Sequence, residues 1–324
     1  MRVTQRYIYP DFLIPCQSKM HPDAGKINDE VKQWSFKFKL HGEENDQYKR
    51  EQMVKLACLC YPDGDFERTV LCAKFLVHIF SLDDEILHRR QGKFFKSVME
   101  HGNSNVDMVD LLDAAKYDLE TPVAASFADY WNDMKTFTGI EWQTRFAENY
   151  VWYLKGTNWE IDNLDNNRIP PLPDYLEYRH YASGIDPSLN LVELSRNIFI
   201  PDKVIANPTI QRLSSICGNV IAFANDVYSF EKERKVGEIN NLVIVMKNEY
   251  NISYQEAIKK ATDFVNEEMK KYDALEPFVP SFGVELDKSV KMYLEGFRDW
   301  MTGNLDWGLS SGRYRRYSYP LNEF

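Results

Sequence analysis

Apolar residues recur along this chain of 324 residues at steps of three and four, in segments that follow one another closely. "INDEVKQWSFKFKL" (27–40) is amphipathic. So is "DQYKREQMVKLACLCY" (46–61), with Met53, Leu56, Ala57 and Cys60 on one side. "DFERTVLCAKFLVHIFSLDDEIL" (65–87) turns apolar on nearly all sides, as a central helix does. Further helical patterns occupy 106–117, 121–138 and 141–159, the last with Trp142, Phe146, Tyr150 and Tyr153 at helical spacing. A Pro-rich stretch (166–175) leads into another helix, and a long apolar helix is predicted over 207–233. Amphipathic helices over 252–274 and 283–302 are joined by the turn "EPFVPSF". The first 26 residues read as an extended arm. Alternating strand patterns bounded by hairpin turns are missing. The pattern predicts an all-α fold of about ten or more helices in one bundle-like domain spanning the chain.

Composition narrows the picture. Aromatic residues make up 14% of the chain, which points either to a large core or to an aromatic-lined cavity. The net charge of −10 and the lack of a Lys/Arg stripe argue against a nucleic-acid partner. An acidic protein that binds an anion needs metal ions or a local basic cluster. The five Cys show no CxxC or Cys/His spacing, which fits reduced, buried thiols in a cytoplasmic protein. No signal-peptide pattern opens the sequence, and no apolar run approaches ~18 residues, so no stable membrane anchor is expected.

Candidate chemistry begins with "NDVYSFEKE" (225–233). On an α-helix each residue turns about 100°, so residues at i, i+4 and i+8 drift only about 80°. Asn225, Ser229 and Glu233 therefore share a face and offer an amide carbonyl, a hydroxyl and a carboxylate. These hard oxygens suit Mg²⁺ rather than Zn²⁺. A single full charge leaves such an ion positive enough to hold substrate phosphate as well. Asp226 and Glu231 fall on other faces and are read as structural. The alternative, a solvated polar stripe, conflicts with the apolar run "GNVIAFA" before it.

Three more clusters stand out, each with a bland alternative. In "SLDDEIL" (81–87), Asp83 and Asp84 end an apolar helix, where adjacent like charges are costly without cations; an exposed helix end is the alternative. In "GRYRRY" (312–317), Arg313 and Tyr314 have the donors to hold a phosphate, while Arg315 and Arg316 read as tail charges. Arg179 follows the Pro-rich stretch and precedes Gly184, which ends or kinks its helix; an Arg alone on a helix is most often a surface residue.

Taken together these stretches resemble the microbial class I terpene synthases. "NDVYSFEKE" fits that family's N-D-x-x-S-x-x-K-E signature, and "LDDEIL" stands in the place of its aspartate-rich motif. Arg179, 46 residues before Asn225, has the spacing of its diphosphate-sensing Arg. "W…SSGRYRRY" resembles its C-terminal Trp and Arg-Tyr pair, and "IPPLPDYLEYR" its lead-in to the sensor helix. The resemblance runs from "PDFLIP" to "GRY". One departure is that the acid usual three to five residues after the first Asp is replaced by Ile86, Leu87 and His88. Asp83 and Asp84 are carried over as metal ligands; Glu85 is left without a role. Ala182 and Ser183 stand where a linker and a carbonyl donor are expected.

The resemblance implies a helical bundle around a deep apolar cavity, its mouth closed by three Mg²⁺ ions held by Asp83, Asp84, Asn225, Ser229 and Glu233. Arg179, Ser183, Lys232, Arg313 and Tyr314 would contact a linear prenyl diphosphate, with farnesyl diphosphate (C15) favoured and geranylgeranyl diphosphate (C20) next. Ionisation to an allylic cation, cyclisation and release of diphosphate would give a terpene hydrocarbon or alcohol. Phe75, Phe80, Tyr153 and Trp307 are the aromatic candidates for facing the cation. Leu76 and Phe80, seven and three residues before Asp83, share its helix face. The segment "HRRQGKFF" (88–95) and the C-terminal tail are expected to order over the mouth when metal binds. Three rival readings remain: a chain-elongating prenyl transferase, which would carry two aspartate-rich motifs, a non-catalytic prenyl-lipid binding protein, and a purely structural helical bundle. A homodimer is left open.

Overall fold

The computed structural model describes residues 7–40, 48, 52–86, 96, 98–100, 107–113 and 122–314, with the side chains of 83–86 outside the description. Among these residues all regular structure is helical. In order the helices are α1 (Ala24–Lys37), α2 (Met53–Cys60), α3 (Phe66–Ile86), α4 (Met108–Asp113), α5 (Pro122–Phe137), α6 (Ile140–Asp165) and α7 (Leu172–Ala182). They continue with α8 (Ile185–Arg196), α9 (Asp202–Ile205), α10 (Pro208–Val236), α11 (Leu242–Tyr250), α12 (Tyr254–Leu275) and α13 (Val284–Ser310).

Local chemistry sets many of the ends. The Asn207 side chain accepts from the backbone N–H groups of Thr209 and Ile210, Pro208 takes the first position, and α10 stops at Gly237 with φ +86°. Ser253 and Glu256 form a reciprocal capping box on α12. The break between α7 and α8 falls at Gly184, φ +66°, a left-handed conformation in which a side chain would be strained.

α3 explains its own sequence. α1, α2, α5 and α8 all pack against it, and Val70 to Val77 are buried, Lys74 included. A helix enclosed on all sides has no face on which to place a polar stripe. α10 lies against α12 and α13, and α13 also packs on α2. Two glycines permit close approaches. A Cβ on Gly156 would stand 2.5 Å from the backbone nitrogen of Ala182, so α6 and the end of α7 touch backbone to backbone. A Cβ on Gly303 would likewise meet the Leu59 carbonyl at 2.7 Å.

Some boundaries differ from the sequence reading. α6 and α13 run on to Asp165 and Ser310. In α13 the apolar pattern lapses at Gly303 and Asn304, because the first meets α2 and the second faces an internal void. α8 and α11 carry no clear stripe because both are buried on most sides, and neither was predicted. The arm is shorter than 26 residues, since α1 begins at Ala24. Its residues 8–18 are tied to the back of the bundle: Ile8 to Gln255, Leu13 to Asn266, Ser18 to Asp306. Cys58, Cys60, Cys72 and Cys217 are buried and unpaired, and Cys16 is partly covered. No helix among the described residues is long and apolar enough to cross a membrane.

Candidate active site

The void is a cavity of about 630 Å³ lined from α2, α3, α6, α7, α8, α10 and α13. That is within the ~300–1,000 Å³ of small-molecule sites. Its apolar wall includes Leu56, Leu76, Ile79, Phe80, Ile161, Ile185, Ile221 and Trp300. Its polar part carries Glu160, Arg179, Asn225, Lys232, Glu233, Arg313 and Tyr314. Along α10, the twelve steps from Ile221 to Glu233 rise about 18 Å, so the two characters are separated along the axis.

Asn225 and Glu233 reach this surface, with Ser229 between them on the same face of α10. The Ser229 hydroxyl is fully buried and has no hydrogen-bond partner among the described residues. An orphaned buried hydroxyl costs about 1–3 kcal/mol unless something else takes its lone pairs. Glu233 is steadied by the Asn241 amide, which donates to its Oε2 at 2.9 Å. Among the described residues no three His, Cys, Asp or Glu side chains converge, so the donors available are amide, hydroxyl and carboxylate oxygens. This set, with an unsatisfied oxygen in the middle, fits a hard divalent cation. Asp83, Asp84 and Glu85 lie in the last turn of α3, and their side chains fall outside the described residues, as do 88–95, Arg315 and Arg316.

Arg179 projects from α7 into the polar part. Its Nε donates to Asp226 Oδ1 at 3.0 Å, and its terminal nitrogens lie 3.3 Å from Glu160 Oε1 and 3.5 Å from Asn225 Oδ1. Asp226 is fully buried and also accepts from the Tyr175 hydroxyl at 2.6 Å and the Leu242 N–H at 3.0 Å. Burial pushes its carboxyl up to about 6, against the opposing pull of Arg179. Asp226 is thus the structural hub that its position on the helix suggested, joining α7, α10 and the start of α11. Glu231, read as structural too, accepts from the Tyr9 hydroxyl of the arm at 3.1 Å.

Arg313 and Tyr314 come in from beyond α13. The Arg313 guanidinium lies 5.0 Å over the Phe80 ring, and its Nε donates to Tyr314 Oη at 3.3 Å. Lys232 stands 5.5 Å over the Tyr314 ring. Ser183 lines the cavity just before the helix break, with its hydroxyl donating to the His180 carbonyl.

Three aromatic expectations need correction. Phe75 points away from the cavity and packs edge-on to Tyr130 and Phe146. Trp307 stands behind Phe80 and Tyr314, its indole N–H donating to the Gln52 carbonyl at 3.0 Å. Tyr153 packs under Gly184 with its hydroxyl toward the Ile79 carbonyl. Which ring meets the void depends on which neighbour fills each side, and that is not local information. Phe80 and Leu76 do line the cavity. The sequence reading missed Glu160, Trp300 and Asn304. The last two are one turn apart on α13, and Trp300 stands seven residues before Trp307. That spacing was the available signal.

The sequence pattern described as "Terpene synthase family 2, C-terminal metal binding" matches residues 74–271. The chain is 26% identical over 317 residues to sesquiterpene synthase 1 of Postia placenta, covering 95% of this chain and 90% of that protein. It is also 26% identical over 301 residues to 10-epi-cubebol synthase of Sorangium cellulosum, covering 91% and 94%. Among solved structures, that of an a-eudesmol synthase superposes with a TM-score of 0.78 at 22% identity, covering 93% of this chain and 99% of the other.

Proposed function

The chain belongs to terpene synthase family 2 and is a terpene cyclase, and on that premise we propose that it cyclises farnesyl diphosphate with Mg²⁺ as its metal. The observation that carries this reading is the cavity itself. Its apolar wall is closed at one end by oxygen donors and cationic groups, and the orphaned Ser229 hydroxyl lies buried between two of them, Asn225 and Glu233, along α10. Relatives named sesquiterpene synthases support the C15 length.

Asn225, Ser229 and Glu233 hold the metal, with Asp83 and Asp84 from α3; three ions is the number the resemblance implies. When bound, Mg²⁺ neutralises charge on the diphosphate as a Lewis acid. Arg179, Lys232, Arg313 and Tyr314 hold the same leaving group, so departure of the diphosphate needs no nucleophilic side chain. The resulting allylic cation is kept from water by Leu56, Leu76, Ile161, Ile185 and Ile221. Phe80 and Trp300 offer it ring faces, worth about 1–2 kcal/mol each.

Incubating the protein with C10, C15 and C20 prenyl diphosphates, with and without Mg²⁺, tests the reading by gas chromatography–mass spectrometry of an organic extract. A cyclic C15 product that needs the metal is expected. Turnover of the C20 substrate alone would replace the assignment, and a lengthened prenyl diphosphate would overturn the cyclase reading.

A further inference from the structure

Asn304 belongs to no motif in the sequence, yet it lies on the cavity wall and is nearly buried. Its side-chain Oδ1 accepts from the Tyr228 hydroxyl at 3.0 Å, and its Nδ2 donates to the Ile221 carbonyl at 3.4 Å. The Tyr228 oxygen accepts from Asn225 Nδ2 at 3.1 Å, and Tyr314 Oη lies 3.5 Å from the same nitrogen. A buried chain of hydrogen bonds thus runs from the cavity wall to Asn225.

The chain has a direction. A phenol has one proton. Because Tyr228 gives its proton to Asn304, it can only accept from Asn225. Asn225 must then turn its NH₂ toward the two phenols. Its Oδ1 is left facing the other way, where Arg179 stands 3.5 Å off. Of the two ends of that amide, only Oδ1 can ligate a hard cation. α13 builds the Tyr228 site a second way. A Cβ on Gly308, one turn after Asn304, would stand 2.4 Å from the Tyr228 ring. The bare glycine lets the ring lie against α13, where its hydroxyl reaches Asn304.

We propose that Asn304 is a positioning residue for the metal site: by accepting from Tyr228 it sets the direction of the chain and keeps the carbonyl oxygen of Asn225 toward the metal. This rests on the reading of Asn225 as a metal ligand. Without the acceptor, the Tyr228 hydroxyl can donate to Asn225 instead, and the amide then presents its NH₂ to the cation.

The test compares wild type, Asn304→Leu, Asn304→Asp, Tyr228→Phe and the Tyr228→Phe/Asn304→Leu double variant. Two quantities are measured: the rise in unfolding temperature on adding Mg²⁺ with inorganic pyrophosphate, and the Mg²⁺ concentration for half-maximal turnover. Asn304→Leu and Tyr228→Phe are expected to lose most of the temperature rise and to need roughly 10-fold more Mg²⁺, the scale for groups that orient a ligand. Asn304→Asp keeps an acceptor and should stay near wild type. The double variant should be no worse than the worse single one, because both break one chain. Tyr228→Phe keeps the packing against Gly308, so it carries the test if Asn304→Leu does not fold. A wild-type-like metal response in Asn304→Leu or Tyr228→Phe overturns the inference, as does an additive double variant. A wild-type protein with no temperature rise overturns it through the metal reading itself, which separates the two failures.

Discussion

The two faces of α3 make opposite uses of neighbouring residues. Phe75 and His78 turn into an aromatic block built with α5 and α6; Leu76, Ile79 and Phe80 turn to the cavity. In the block, the Phe127 ring is tilted against Tyr150 with centroids 4.6 Å apart, and Trp131 lies nearly parallel to Phe146 at 5.3 Å. Both ring nitrogens of His78 are engaged, Nδ1 with the Ser126 hydroxyl at 3.0 Å and Nε2 with the Tyr150 hydroxyl at 2.8 Å. On the other face a void of about 630 Å³ stays open, and its polar part carries Asn225 and Glu233, which flank the buried Ser229 hydroxyl on α10. One face holds the fold together and the other keeps room for chemistry. A high aromatic content therefore says little about cavity lining, since most of the rings meet other rings.

Breaking the open side should cost activity and little stability. Asn225→Ala and Glu233→Ala are each expected to lower turnover by ~10³-fold or more, on the scale of removing a preorganised charge-stabilising group. Their unfolding temperatures should stay within a few degrees of wild type, read by a thermal scan beside steady-state kinetics. Near-normal turnover in both would mean that the metal lies elsewhere. Breaking the packed side should do the reverse. Phe127→Ala should destabilise the protein by about 3–5 kcal/mol in urea unfolding. The folded fraction should still yield the wild-type product pattern, and a changed pattern would erase the distinction between the two faces.

The His78 block also predicts a pH signature. Burial pushes the His78 imidazole down to about 3, against an ordinary value near 6.5. Between those values the unfolded chain binds a proton that the folded chain refuses. The stability from this group is therefore complete above ~6.5 and falls as pH drops toward 3, by up to about 1.4 kcal/mol per pH unit. Wild type should lose about 2 kcal/mol more than His78→Gln between pH 7 and pH 5, measured by urea unfolding at each pH. Equal losses would show that His78 takes up a proton in the folded state. The smallest effect is expected from Phe80→Ala, on the open face: a product mixture altered by chromatography and turnover down by roughly 10-fold, the equivalent of ~1–2 kcal/mol of ring–cation contact. An unchanged product pattern would move Phe80 from the cavity wall to plain packing.

Much of this was legible in the residues themselves. Helix type follows from the three- and four-residue steps, and Asn207, Gly237 and Ser253 mark helix ends by chemistry confined to a turn. The shared face of Asn225, Ser229 and Glu233 follows from the pitch of one helix. Arg179 was marked by its spacing, but not its tether to Asp226, which depends on how α7 crosses α10. α8 and α11 stayed hidden because burial on most sides removes the polar stripe that marks a helix in sequence.

The sequence alone thus determined that its periodic segments are helical and which oxygens line up along α10, since both depend on neighbours within a few positions. Only the tertiary structure decided that Phe75, Tyr153 and Trp307 are spent on packing while Trp300 and Asn304 face the void. The side of a helix that meets empty space is set by what the rest of the chain fails to fill, through contacts such as Gly156 on Ala182 and Gly308 on Tyr228 that join residues far apart in the chain.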